Sequence, residues 1–424
     1  MKNRYNAFTT ILFFALLCAA VAPKAFGVVP APGGGYPGGN AAGGQGALFS
    51  LTSGTYNTAV GFFSLRSNTA GSFNTAVGAG TLLLNTADNN TAIGAGALLS
   101  NTTGFENTAN GVFALFNNTE GTGNTAIGDT ALFSNATGAL NTAVGTRALF
   151  SNTTGFANTA NGYEALLYNT TGVANTANGY LSLASNTTGN DSTAIGFAAL
   201  FANTTGNNNV ANGFHALLSN TEGSDNTATG HEVLATNSTG YSNTANGFQS
   251  LYSNTTGAGN TIMGWKALFN NTTGSYNTGV GVHALFGNTT GSQNTALGYQ
   301  AGNGITTATH VIAIGAPGAN VSGSCFIGNI RGVTTANANA VPVLVDSVGQ
   351  LGTASSSRRF KKEIKPMDQT SEGILGPKPV TFHYKSDNSG TPQFGLIAEE
   401  VAEVNPTWLC ATTRARSTQS ATTR

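Results

Sequence analysis

The chain has 424 residues, 57 of them glycine, and its 17 Lys and Arg balance 17 Asp and Glu, so it is neutral and only 8% charged. A neutral, charge-poor chain offers no basic face to nucleic acid. Three cysteines far apart in sequence (Cys18, Cys325 and Cys410), and five histidines without ligand spacing, make neither a disulfide framework nor a metal site.

In chain order, residues 1–27 have the layout of a secretory signal. Lys2 and Arg4 precede the apolar run Ala7–Val21, and Ala25-Phe26-Gly27 is a suitable exit. The run has 15 residues, short of the ~20 that span a bilayer. Export to the cell surface or beyond is expected, with no membrane-spanning anchor. Leu17 stands where lipidation of Cys18 would need a small residue. Residues 28–56, with Gly33-Gly34-Gly35 and Pro37-Gly38-Gly39, read as a flexible linker.

At Asn57 a repeat begins. The pentad Asn57-Thr58-Ala59-Val60-Gly61 returns down the chain, and its closing glycines, from Gly61 to Gly315, number 16. Every step between them is 17 residues except one of 16. The unit reads N-T-A-x-G-x-x-A-L-x-x-N-T-T-G-x-x. It is too short for a helical pair, which takes ~33 residues or more. Glycine at a fixed phase marks positive φ or close backbone approach, and Asn-Thr-Thr-Gly is turn chemistry. Two short strands per unit remain, at Thr-Ala-x-Gly and at Ala-Leu. The expected fold is all-β: a parallel β-solenoid over 57–315, roughly 75 Å long at about 4.8 Å per rung.

Each unit offers the core one leucine (Leu65, Leu98, Leu115), one or two alanines and the variable x. That x is Val60, Val77, Ile93, Ile127, Val144 and Leu297 in some units, but Asn110, Asn161, Asn178, Asn212 and Asn246 in others. These asparagines either stack as a hydrogen-bonded ladder or face solvent or a partner chain. So thin a rod gains from association along its length, because repeats bury a continuous core only through their neighbours. After Gly315 the period breaks. Phe326–Ile330 and Val341–Val345 read as strands of a β-rich stem over 316–354.

The strands Thr91-Ala92-Ile93-Gly94, Thr193-Ala194-Ile195-Gly196 and Ile312-Ala313-Ile314-Gly315 resemble the head repeats of YadA-type trimeric adhesins. That resemblance implies a left-handed parallel β-roll with three chains to a rod. The unit here is longer and prefers threonine at its first strand position.

Charge then arrives abruptly, with Arg358, Arg359, Lys361, Lys362, Glu363 and Lys365 close together. A shift this sharp marks a domain boundary. Ser356-Ser357-Arg358-Arg359-Phe360-Lys361-Lys362-Glu363-Ile364 resembles the opening motif of the endosialidase-type intramolecular chaperone, a serine-peptidase family. Lys378–Tyr384, Gly395–Val401 and Asn405-Pro406 match further motifs in order, so the resemblance covers 355–406, a small α+β module. It implies one self-cleavage, at Ser355–Ser356, with Ser356 as nucleophile and Lys361 as its base. A serine hydroxyl needs such a base, and a lysine serves only when burial or nearby positive charge lowers its pKa. Arg358, Arg359 and Lys362 supply part of that charge. Ser357 stands where the family has aspartate.

The family's module gathers three chains, templates the fibre and cuts itself off. The logic suits this repeat. Parallel pairing is non-local and slow, near-identical rungs invite register slips, and removing the module leaves a rod that is kinetically hard to unfold. The tail 407–424, with three arginines, six threonines and no periodic face, does not continue the family's pattern. Restoring one G before Thr407 permits the frame DLVVRDDAGKVYTVRYDAV, which does, so the tail is expected to be frameshifted and the module impaired.

The function expected is an exported fibrous surface protein, adhesin- or tail-fibre-like. Its expected partners are two further copies of the chain and a surface glycan or other cell-surface ligand. No cofactor, metal or nucleic acid is expected. A second reading from another class is ice or crystal-surface binding by stacked threonines such as Thr102-Thr103, Thr153-Thr154 and Thr204-Thr205. A third is a phage-derived tail fibre, against which the signal-like N-terminus argues.

Overall fold

The computed structural model describes residues 35–330, 343–345, 347–353, 362, 364, 376, 378–382 and 393–404. Residues 1–27, Ser355, Ser356, Lys361 and the tail 407–424 lie outside the described residues. The chain forms two compact units, Met1–Val333 and Thr334–Arg424.

The first unit is a parallel β-solenoid built on one sheet of 19 strands. From Asn40–Gly43 to Cys325–Ile327, each strand pairs in parallel with the next. The register is residue for residue: Thr58 opposite Thr75, Ala59 opposite Ala76, Val60 opposite Val77. Stacked at about 4.8 Å, these strands make a rod about 80 Å long. Gly35–Tyr36 pairs antiparallel with Asn40–Gly43 and covers the edge that would otherwise template further pairing. From residue 35 onward, then, the stretch 28–56 is not a flexible linker. Asn40 and Leu48 are already buried, because the first rung needs the same ladder and core contacts as every other.

One rung, residues 141–157, shows how the unit folds. It has one strand, Thr142–Val144, not the two expected. The Ala-Leu segment is a turn in which backbone handedness alternates, with positive φ at Gly145 (129°), Arg147 (59°) and Leu149 (52°). Ala157 (56°) closes the rung in the same region. The alternation aims successive N–H groups up and down the rod. Gly145 and Arg147 donate to Ile127 and Asp129 of the previous rung at 2.7 and 3.0 Å, while Leu149 donates to Ala165 of the next at 3.0 Å. Each non-glycine residue held in this region costs ~1 kcal/mol, so a lone rung is unstable and stacking must offset the strain.

The interior is narrow: Ala143, Ala148 and Leu149 are fully buried and stack on their equivalents in neighbouring rungs. Two asparagines per rung share that interior. Asn141 Nδ2 donates to Asn124 Oδ1 of the previous rung at 3.1 Å, and Asn152 Nδ2 donates to Asn135 Oδ1 at 2.7 Å. Two buried amide ladders thus run along the rod, formed by the first asparagine of the pentad and by that of Asn-Thr-Thr-Gly. The open question about x is settled the other way. Asn110, Asn161 and Asn178 are exposed, and so are Val60 and Ile127, at 48% and 41%. In a three-residue strand the flanking side chains share a face, so threonine and x point out when the central alanine points in.

The short step is absorbed in a turn. Between Asn85 and Asn90 one residue is missing, and the Ala87 carbonyl takes the place of the usual glycine carbonyl, accepting from Asn85 Nδ2 at 2.8 Å and Asn74 Nδ2 at 2.9 Å. Strand register is kept, with Thr75 opposite Thr91.

In the second unit, Val343–Val345 pairs antiparallel with Leu351–Thr353, and Val380–Phe382 with Gln393–Gly395. The helix Ala398–Val404 follows, with Glu399 and Glu400 in its first turn, where the helix dipole favours negative charge.

Candidate functional sites

The rod displays three outward rows. The first two are x and the residue after the pentad glycine. In the five strands that end in asparagine, the residue after the glycine is aromatic or valine: Val112, Tyr163, Tyr180, Phe214 and Phe248. An apolar or aromatic side chain is therefore kept in each of these rungs.

From Tyr163 to Trp265 the second row is an unbroken aromatic ladder. Tyr163, Tyr180, Phe197 and Phe214 stack at centroid spacings of 5.3, 5.1 and 5.4 Å with planes within 16° of parallel. His231, Phe248 and Trp265 continue the row. All are substantially exposed, Tyr180 at 45% and Trp265 at 43%. The rings cover one another's faces along the axis, so their edges point outward. The sequence reading missed this ladder, although its signal was available: an aromatic directly after the pentad glycine in consecutive units.

The third row is the threonine pair. In each pair the first hydroxyl is committed to the rod: Thr102 Oγ1 donates to the Thr119 carbonyl at 2.9 Å, Thr153 to Thr170 at 3.0 Å, and Thr204 to Thr221 at 3.0 Å. This is a packing role. The second threonines, such as Thr103, Thr154 and Thr205, are exposed. Formal charge along the rod is sparse, and Arg147 pairs with Glu164 one rung on.

In the second unit, the strand Val380–Phe382 and the segment Gly395–Val404 coincide with the later chaperone-like motifs. Ser356 and Lys361, the expected nucleophile and base, and Ser355, on the other side of the expected cut, all fall outside the described residues. Cys325 is a free, exposed thiol. Among the described residues, no helix is long and apolar enough to cross a membrane.

The model of a peptidase family described as "Chaperone of endosialidase" matches residues 356–409. No curated protein and no solved structure matches the chain. The protein therefore joins a β-solenoid rod to an endosialidase-chaperone segment, the make-up of a tail-fibre-like fibrous protein.

Proposed function

We propose that this chain is an exported fibrous surface protein whose rod is brought together in three copies by its C-terminal segment, which then removes itself. The observation that carries the reading is the order of parts: a long in-register solenoid, then a short hairpin, then the chaperone-of-endosialidase match at 356–409. A rod of near-identical rungs pairs wrongly if strands meet out of step, and a module that fixes chain ends before the rod forms removes that hazard. The likeness of strands such as Thr91–Gly94 to adhesin head repeats supports a surface role, with a glycan or other cell-surface ligand as target. The signal-like residues 1–27 support export.

The single reaction proposed is cleavage at Ser355–Ser356. Ser356 Oγ attacks the Ser355 carbonyl carbon while its proton passes to Lys361 Nζ. The C–N bond breaks, and the amine of Ser356 takes the proton. Water then hydrolyses the resulting ester, leaving a carboxylate on Ser355 and restoring the Ser356 hydroxyl.

The test is the native mass of the purified protein with its subunits counted, for the chain as written and for the chain carrying the shifted-frame continuation after Pro406. A trimer of shortened chains from the second supports the proposal. A monomer of full length from both overturns it.

A further inference from the structure

The exposed x row and the adjoining aromatic row form one stripe along the rod. It pairs Val60 with Phe62 near one end and Leu297 with Tyr299 near the other, all exposed. Where x turns polar, as at Asn178, the neighbouring Tyr180 keeps the stripe apolar. Its acidic and basic side chains are Asp129 and His231.

With about 16 rungs at ~4.8 Å and a width of two extended residues plus side chains, about 10 Å, the stripe covers on the order of 700 Å². That exceeds the few hundred Å² a monomer usually leaves bare and approaches the ~800 Å² that each partner buries in a standard interface.

We infer that this stripe is the seam along which copies of the chain pack side by side, parallel and in register. The inference rests on the multi-copy assembly proposed above and adds the face that makes it. The occupant follows from pitch. A partner touching every rung must present the same repeat over the same length, and another copy of the rod set parallel does so. A sugar polymer fits less well, because each ring of the Tyr163–Trp265 ladder has its faces against neighbouring rings. Ring edges and branched aliphatics interdigitate with a like surface. With one carboxylate on the stripe, two copies meet with little like-charge repulsion.

The experiment uses the full chain carrying the shifted-frame continuation after Pro406, with p-benzoylphenylalanine placed at Tyr180, and separately at the exposed Thr205 as control. Isotopically light and heavy chains are co-expressed so that links between copies are recognised by mass. Native mass is measured on the same samples. The expected result is a multimer in which position 180 links to residues within about one rung of 180 in another copy, while position 205 gives no inter-copy links. A multimer linked through 205 and not 180 overturns the seam and leaves the assembly standing. Links from 180 to distant rungs overturn the parallel register. A monomer overturns both inferences. As a second measurement, Tyr180→Glu with Phe214→Glu should lower the native mass to that of a single chain while the β-type circular dichroism is kept. Thr154→Glu with Thr205→Glu should leave the mass unchanged.

Discussion

Asn141 and Asn152 donate their side-chain amides to one acceptor, the carbonyl of Gly155, at 2.9 Å each. The two ladders are thus tied together once per rung. In this rung each amide is held from within the rung and from the rung before, so a ladder asparagine fixes both the turn and the stacking register.

Removing one amide should therefore cost more than its hydrogen bonds suggest. Asn152→Ala leaves buried partners unsatisfied and should destabilise the rod by about 1–3 kcal/mol. Asn152→Asp should be worse, because a buried carboxylate cannot donate to Gly155 or Asn135. Asn178→Ala, at an exposed position, should change stability by less than about 0.5 kcal/mol. Denaturant midpoints followed by circular dichroism give the ranking. Equal midpoints for Asn152→Ala and Asn178→Ala would sink the ladder argument.

Gly155 also limits how closely the turns stack. A Cβ there would collide with Asn152 Oδ1 and lie 2.5 Å from the Gly172 carbonyl oxygen. Backbone cannot move away without breaking the ladder, so Gly155→Ala should cost several kcal/mol, on the scale of severe overpacking. Gly315 has positive φ, 56°, but nothing within 4 Å of its Cβ position, so Gly315→Ala should cost only the ~1 kcal/mol of backbone strain. Gly155 is not in the positive-φ region, so a loss there no larger than at Gly315 would mean that the turn relaxes and that contact does not limit the stacking.

The period, the strand Thr-Ala-x and its parallel stacking were legible because a 17-residue recurrence leaves few other folds. Inside and outside were harder to read. Hydrophobicity alone puts Ile127 in and Asn152 out, and the structure does the reverse. An asparagine that recurs one rung away can satisfy its own amide, so burial costs it little. A three-residue strand with alanine at its centre cannot turn its flanks inward. The hint lay in variability among rungs: x changes freely, whereas the two ladder asparagines scarcely change. The Ala-Leu turn was misread because leucine is an ordinary strand or helix residue and nothing in its propensity signals positive φ. Glycines betray the conformation in a few rungs: Gly302 (φ 68°) replaces leucine near the end of the rod, and Gly80 (65°) and Gly96 (67°) stand where Arg147 does. The expected dyad rests on motif resemblance alone.

That turn yields a third prediction. Leu149 is fully buried at φ 52°. A β-branched residue tolerates this region poorly, so Leu149→Ile should destabilise by roughly 2–3 kcal/mol, beyond the <1.5 kcal/mol usual for a volume-conserving swap. Leu149→Met, unbranched at Cβ, should stay within that usual cost. Unfolding midpoints of the two variants separate backbone strain from packing, and an Ile variant as stable as the Met variant would refute the strained-turn account.

The last prediction concerns the cut. A serine and a lysine five residues apart in a flexible chain have no fixed geometry, and positioning contributes several kcal/mol to such a reaction. Cleavage at Ser355–Ser356 therefore requires a folded module. The chain as written should remain whole on a denaturing gel, because the tail 407–424 lacks the apolar pattern that would complete so small a core. With the shifted-frame continuation restored, the gel should show two fragments. Ser356→Ala should abolish them by removing the nucleophile. Lys361→Arg keeps a cation of similar reach, but arginine does not release its proton in proteins. It should be uncleaved if the lysine acts as base, and cleaved if a positive charge is all that is needed. Cleavage of the restored chain should also slow as pH falls, since the base must be neutral to accept the serine proton. Ser357→Asp, which supplies the family's usual residue, should leave cleavage intact and quicken it. Fragments from Ser356→Ala at the wild-type position would overturn the dyad, and efficient cleavage of the chain as written would overturn the claim that its tail impairs the module.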